Sequence, residues 1–135
     1  MKLESKYLNT DLDLRSSNNL SKLGIFFEKH AVLLGCQVSE DGMWHIRVEG
    51  KSSGSNKDAN VDIADLLDAI DKMRSEHKKI WESCDKKEFN IGINCGETWA
   101  FSIFINALNV KRVSELGASI IFTTFPIKEE SSCVV

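Results

Sequence analysis

The sequence has no basic surplus: 17 Lys and Arg stand against 20 Asp and Glu, a formal net charge of −3. Nucleic-acid binders usually carry the opposite balance, which disfavours that class. No apolar run approaches the roughly 18 residues that a membrane-spanning helix needs. The start, "MKLESKYLNTD", lacks the apolar core of a secretion signal, so the cytosol is the expected compartment. Cysteines fall at 36, 84, 95 and 133 with no C-x-x-C pair, which disfavours a structural zinc. A reducing compartment disfavours disulfides, and Cys36 and Cys95, inside strand-like runs, read as small buried hydrophobes. The ending "SSCVV" puts Cys133 third from the end, one place short of a prenylation motif. No glycine-rich phosphate loop is present and no nucleophile stands beside a base, so neither a cofactor nor an enzyme is expected.

What is present is enough for one domain. The 135 residues are 42% apolar and 27% charged, typical of a globular chain. They divide into a domain over 1–127 and a flexible tail over 128–135. Residues 6–14 alternate as a half-buried strand, with Leu8, Leu12 and Leu14 inward and Tyr7, Asn9, Asp11 and Asp13 outward. Ser17 or Asn18 can cap a helix built on Leu20, Leu23 and Phe27. "AVLLGCQV" and "MWHIRVEG" are two strands joined at Asp41–Gly42, a hairpin signal. A polar loop leads to a helix with Ile63, Leu66, Leu67, Ile70 and Met73 on one face, continuing or restarting toward Ile80 and Trp81. "EFNIGINCG" is a strand. A helix capped near Asn106 follows, built on Leu108, Val113 and Leu116 and closed by Gly117. "ASIIFTTFP" is the last strand, stopped by the only proline, Pro126. The order predicts an α+β fold: a ferredoxin-like split βαβ sheet (β-α-β-β-α-β) with an added α-β and helices on one face.

A one-sided sheet leaves a face that meets solvent or binds something. Asn9, Asp11, Asp13, His45, Arg47, Asn90 and Asn94 are predicted there. Asp11 and Asp13 then belong to a polar face, with Arg47 or another base neutralising Asp11 across strands. His45 with either aspartate offers a base and its orienter. RNA recognition would need stacking aromatics and basic charge on that face. The alternation instead turns Trp44, Phe89 and Phe122 inward.

"DANVDIADLLDAID" holds Asp58, Asp62, Asp65, Asp68 and Asp71 with no basic residue, and a helical wheel places them opposite the apolar stripe. Early acids suit the helix dipole, but five exceed that need. The spacing reads either as a solvated face or as an acidic landing surface for a basic partner. His30 and His77 read as surface residues. Trp99, Phe101 and Phe104 either plug one end of the core or form an exposed interaction patch.

The segments "YLNTDLDL", "VDIADLLDAI" and "FNIGIN…AFSIF…VSELGASIIFTTFP" together resemble a family of small bacterial α+β proteins of unknown function, similar in kind to toxin-immunity proteins. That resemblance implies a cytoplasmic, non-enzymatic protein, a monomer or weak homodimer. It would bind and neutralise a cognate toxin, of nuclease type, through an acidic surface. Asp58, Asp62, Asp65 and Asp68 are the candidate contacts, with Asp11 and Asp13 as a second patch. The alternative is a small enzyme or ligand-binding domain using the open face around Asp11, His45, Arg47 and Asn94.

Overall fold

Residues 3–52 and 58–127 are described in this computed structural model. In chain order the elements are β1 (Lys6–Ser16), α1 (Ser21–His30), β2 (Val32–Val38), β3 (Trp44–Glu49), α2 (Ala59–Ile70), α3 (Ser75–Glu82), β4 (Lys86–Cys95), α4 (Ala107–Glu115) and β5 (Ser119–Pro126). The strands form one sheet in the order β2-β3-β1-β4-β5. Neighbours are antiparallel except β4 and β5, which run parallel with α4 as their crossover. The fold is therefore mixed α+β, with five strands and four helices among the described residues. The expected tail over 128–135 lies outside them.

One core holds the sheet and helices together. From the strands it takes Leu12, Leu14, Ile46, Val48, Phe89 and Ile91. All four helices contribute: Leu23 and Phe27 from α1, Ile63 and Leu66 from α2, Trp81 from α3, Val113 from α4. The hairpin forms as its dipeptide predicts. Gly42 takes φ 84°, and Asp41 Oδ1 accepts from Met43 N at 3.0 Å. Gly117, at φ 68°, ends α4 in the left-handed region that glycine adopts without strain.

Local chemistry shifts five sequence expectations. In β1 a register slip between Tyr7 and Asn9 inserts Leu8 as a bulge, which flips the alternation. Tyr7 is therefore buried and Leu8 only half-buried, the reverse of the period-2 reading. The α1 helix starts at Ser21 without a side-chain cap; Asn19 Oδ1, rather than Ser17 or Asn18, takes the Ser21 amide at 2.8 Å. Cys95 ends β4 in the open instead of lying in the core. In α4 the buried residue beside Val113 is Asn109, while Leu108 faces out. Asn109 is held inward because its Nδ2 donates to Asn60 O (3.1 Å) and Asn60 Oδ1 (3.2 Å). His30 and His77 are half-buried and flank the Phe26 ring at 4.6 and 4.7 Å, tying α1 to α3.

Candidate functional site

Residues paired across strands point the same way, so register fixes which charges meet on the sheet face away from the core. Three rows cross β3, β1 and β4: Glu49–Asp11–Asn90, then Arg47–Asp13–Glu88, then His45–Arg15–Lys86. Charge is thus sorted along the strands, acid at one end and base at the other. Arg47 Nε donates to Asp13 Oδ1 at 3.2 Å, so the ion pair of Arg47 is with Asp13 rather than with Asp11. His45 lies opposite Arg15, in the row farthest from Asp11, and its Nε2 is 3.4 Å from Ser39 Oγ. The base–orienter pair of His45 with Asp11 does not assemble. Asn94 sits at the far end of β4, opposite Lys6.

Asp11 meets Glu49 directly, an arrangement of like charges that normally destabilises a sheet. Asn9 bridges them, its Nδ2 donating to Asp11 Oδ1 and Glu49 Oε1, each at 3.2 Å. Gly92 makes room for that bridge, since a Cβ there would come within 2.8 Å of Asn9 Oδ1. Burial, then the hydrogen bond and charge of Glu49, then Asp13 push the Asp11 carboxyl up to about 7, with Arg47 opposing. Asn90 and Glu88 face it from β4. The native state therefore holds a proton that the unfolded chain releases near pH 4. This contribution is full below that pH and lost as the pH rises through about 7. Asp11→Asn should be near neutral at acidic pH and stabilising by about 1 kcal/mol at alkaline pH, a figure reduced for solvent screening. Urea midpoints on both sides of neutrality check this, and equal midpoint differences at the two pH values would refute it.

The aspartates of α2 do not form one outward stripe. Asp58 is exposed and caps the helix, its Oδ1 accepting from Asn60 N at 2.9 Å. Asp62 is 0% exposed and accepts a hydrogen bond from the Tyr7 hydroxyl, which in turn lies 2.7 Å from Thr10 Oγ1. Burial raises the Asp62 carboxyl, with the Tyr7 hydrogen bond opposing, and its Oδ1 has no hydrogen-bond partner among the described residues. Burial, then the bond to Asp62, likewise pushes the Tyr7 phenol far up. Asp65 is half-buried, with Oδ2 accepting from Ser52 N (2.9 Å) and Ser52 Oγ (3.0 Å). Asp68 and Asp71 are exposed, and both hold Arg112 Nη2 of α4, at 3.0 and 2.8 Å. Asp62 thus leaves the predicted contact set because it is inside. A partial signal existed: Ala59, Leu66, Ala69 and Met73 at helical spacing are apolar, though Asp58 and Asp65, also at that spacing, point the other way.

The segment 96–106 between β4 and α4 exposes its aromatics. Trp99 is 99% exposed, Phe104 75% and Phe101 42%, so they do not plug the core. Ile103 and Ile105 pack against it instead. The segment is pinned at both ends. Gly96 N donates to Ser5 Oγ (2.7 Å) and Glu97 N to Leu3 O (2.7 Å). At the other end Asn60 Nδ2 donates to Phe104 O (2.9 Å) and Asn106 N to Asn60 Oδ1 (2.8 Å). Between this segment and the start of α2 lies a cavity of about 520 Å³ that includes Tyr7, Asp58, Phe101 and Phe104. Val61 of α2 and Leu108 of α4 are exposed as well.

Gly96 permits the first pin. A Cβ there would lie 2.5 Å from Leu3 O and from the Glu4 carbonyl carbon, both backbone. Gly96→Ala should cost about 1–3 kcal/mol, as overpacking does. It should also speed exchange of the Glu97 amide, which hydrogen-exchange mass spectrometry reads. Unchanged exchange and stability would mean that the N-terminal contact is not needed.

Comparison of the chain with protein-family models, with curated proteins and with solved structures finds no match. Among the described residues, no group of three or more His, Cys, Asp or Glu is arranged to hold a metal ion, and no helix is long and apolar enough to cross a membrane.

Proposed function

We propose that this chain is a cytoplasmic, immunity-type binding protein that neutralises a cognate toxin by seating a basic domain of it, of nuclease type, on an acid-rimmed aromatic surface. The observation that carries this reading is the fully bared Trp99 on the same segment as the exposed Phe101 and Phe104, a segment hydrogen-bonded at both ends, with exposed Leu108 in the helix that follows. Large apolar groups held rigidly in water are the usual anchors of an interface. Asp58 adjoins them, and Asp68 of α2 and Asp71 just after it share the single cation Arg112, which leaves one net negative charge there. Acids placed so would attract a basic domain and speed the encounter, while the aromatics supply the affinity. Asp65 and the Asp11–Asp13 face are then secondary. The reading needs no catalytic group. The ferredoxin-like description of the sheet belongs to the same proposal. It is supported by β2-β3-β1-β4 being antiparallel throughout, with α4 and β5 appended.

The test is co-expression with the C-terminal domain of the large protein encoded by the neighbouring upstream gene, followed by gel filtration. A stable 1:1 complex, with the partner toxic when expressed alone, is expected. Separate elution would end the proposal for that partner.

A further inference from the structure

The basic end of the open sheet face asks for a counter-charge. Arg15 stands directly opposite Lys86 on one side and His45 on the other, so fixed cations neighbour each other across β1 and β4. Such pairs are destabilising unless something neutralises them. Arg15 gets little relief. Its carboxylate contact is Asp41 at 3.5 Å, and its Nε is buried with no hydrogen-bond partner among the described residues. Arg47, one row along, gives its Nε to Asp13 and contacts no other carboxylate among the described residues. Lys86 leans to Glu88 at 3.1 Å.

These groups line a groove of about 450 Å³, together with Asp13, Gln37 and His45. Gly35, in the β2 bulge, leaves the wall open, since a Cβ there would meet nothing within 4 Å. The lining itself holds three fixed cations and one carboxylate, Asp13, while Asp41 and Glu88 reach Arg15 and Lys86 from outside it and leave the buried Arg15 Nε without a partner among the described residues. We propose that this groove is a binding site for a compact oxyanion, the phosphate or carboxylate of a small molecule, held between Arg15 and Arg47. Guanidinium forks match both groups in a bidentate geometry, and the groove has the volume of a small-ligand site. The Glu49–Asp11 row lies two residues along β1 from the Arg47 row, about 7 Å at strand spacing, and four residues from Arg15, about 13 Å. That acid end repels any polyanion long enough to run across the face, so the site selects for small size. The site is separate from the aromatic surface and stands or falls independently of it.

The probes are inorganic phosphate and succinate, titrated separately at constant ionic strength and followed by NMR on the arginine Nε–Hε signals and by thermal shift. A saturable response with a Kd of about 1 mM or tighter is expected, with both Arg15 and Arg47 signals moving. A response to phosphate alone identifies a phosphate ligand, one to succinate alone a carboxylate, and either supports the site. Arg15→Gln should weaken binding at least about tenfold, which is ~1.4 kcal/mol. Arg47→Gln, on a mostly exposed side chain, should do the same without disturbing the fold. No saturable response to either probe, or full binding by both variants, overturns the proposal.

Discussion

Asp62→Lys should leave the chain unfolded at room temperature. Asp62 has no exposed surface and accepts from the Tyr7 hydroxyl, with the carboxylates of Asp65, Glu49 and Asp58 near enough to act on it. Taking an ammonium group out of water costs on the order of several kcal/mol, and losing the Asp62 acceptor leaves the buried Tyr7 hydroxyl short of a partner, about 1–3 kcal/mol more. Total stabilities are only about 5–15 kcal/mol, so one such change takes much of the margin. The milder Asp62→Asn keeps an acceptor for Tyr7 and should cost about 1–2 kcal/mol. Asp58→Lys and Asp68→Lys, on exposed positions of the same helix, should fold normally. Far-UV circular dichroism on the four variants separates the cases. If Asp62→Lys melted within a few degrees of the parent, Asp62 would be a surface residue and the buried Tyr7 contact would be wrong.

The second large effect concerns binding. Trp99→Asp combined with Phe104→Asp should abolish complex formation while leaving the melting temperature unchanged. The folding half follows from exposure: side chains already in water lose no burial when replaced. The binding half follows from anchor energetics, in which a central aromatic is worth about 2 kcal/mol or more. Two of them amount to about 4 kcal/mol, roughly a thousandfold in Kd. Calorimetry with the co-purified partner gives the number. A Kd within threefold of the parent would move the interface elsewhere and leave the exposed aromatics unexplained. Asp58→Lys, by contrast, should act mainly on the association rate and its salt dependence.

The order of elements was legible because it rests on local chemistry: the Asp41–Gly42 turn, the cap at Asn106, the glycine stop at Gly117. Side-chain direction was legible only where the period ran undisturbed. Leu8 was misplaced because a bulge leaves no mark in the alternation beyond the residue it adds. Leu108 reads as core from its apolar side chain, whereas Asn109 is the residue drawn in, by a partner, Asn60, that lies far off in sequence. The same kind of distant partner, Tyr7, drew Asp62 inside. The sorting of the sheet face into acid and basic ends was out of reach. Which of Asp11, Asp13 and Arg15 meets Glu49, Arg47 or Lys86 depends on register, and a slip of two residues against β3 would put Asp11 opposite Arg47 instead of Glu49. The aromatic segment was ambiguous for a simpler reason: a run such as "TWAFSIF" has no period, and only its anchors at Ser5 and Asn60 decide which groups are left out.

Tyr7 is the only tyrosine in the chain, and its hydroxyl is held by Asp62 and Thr10 beneath the helix layer. Its phenol cannot ionise in the closed molecule without placing a second negative charge against the Asp62 carboxyl, away from water. Tyrosinate absorbance in this protein therefore counts molecules whose β1–α2 contact has opened, not side chains reached by solvent. The chain carries its own optical marker for the parting of sheet and helix.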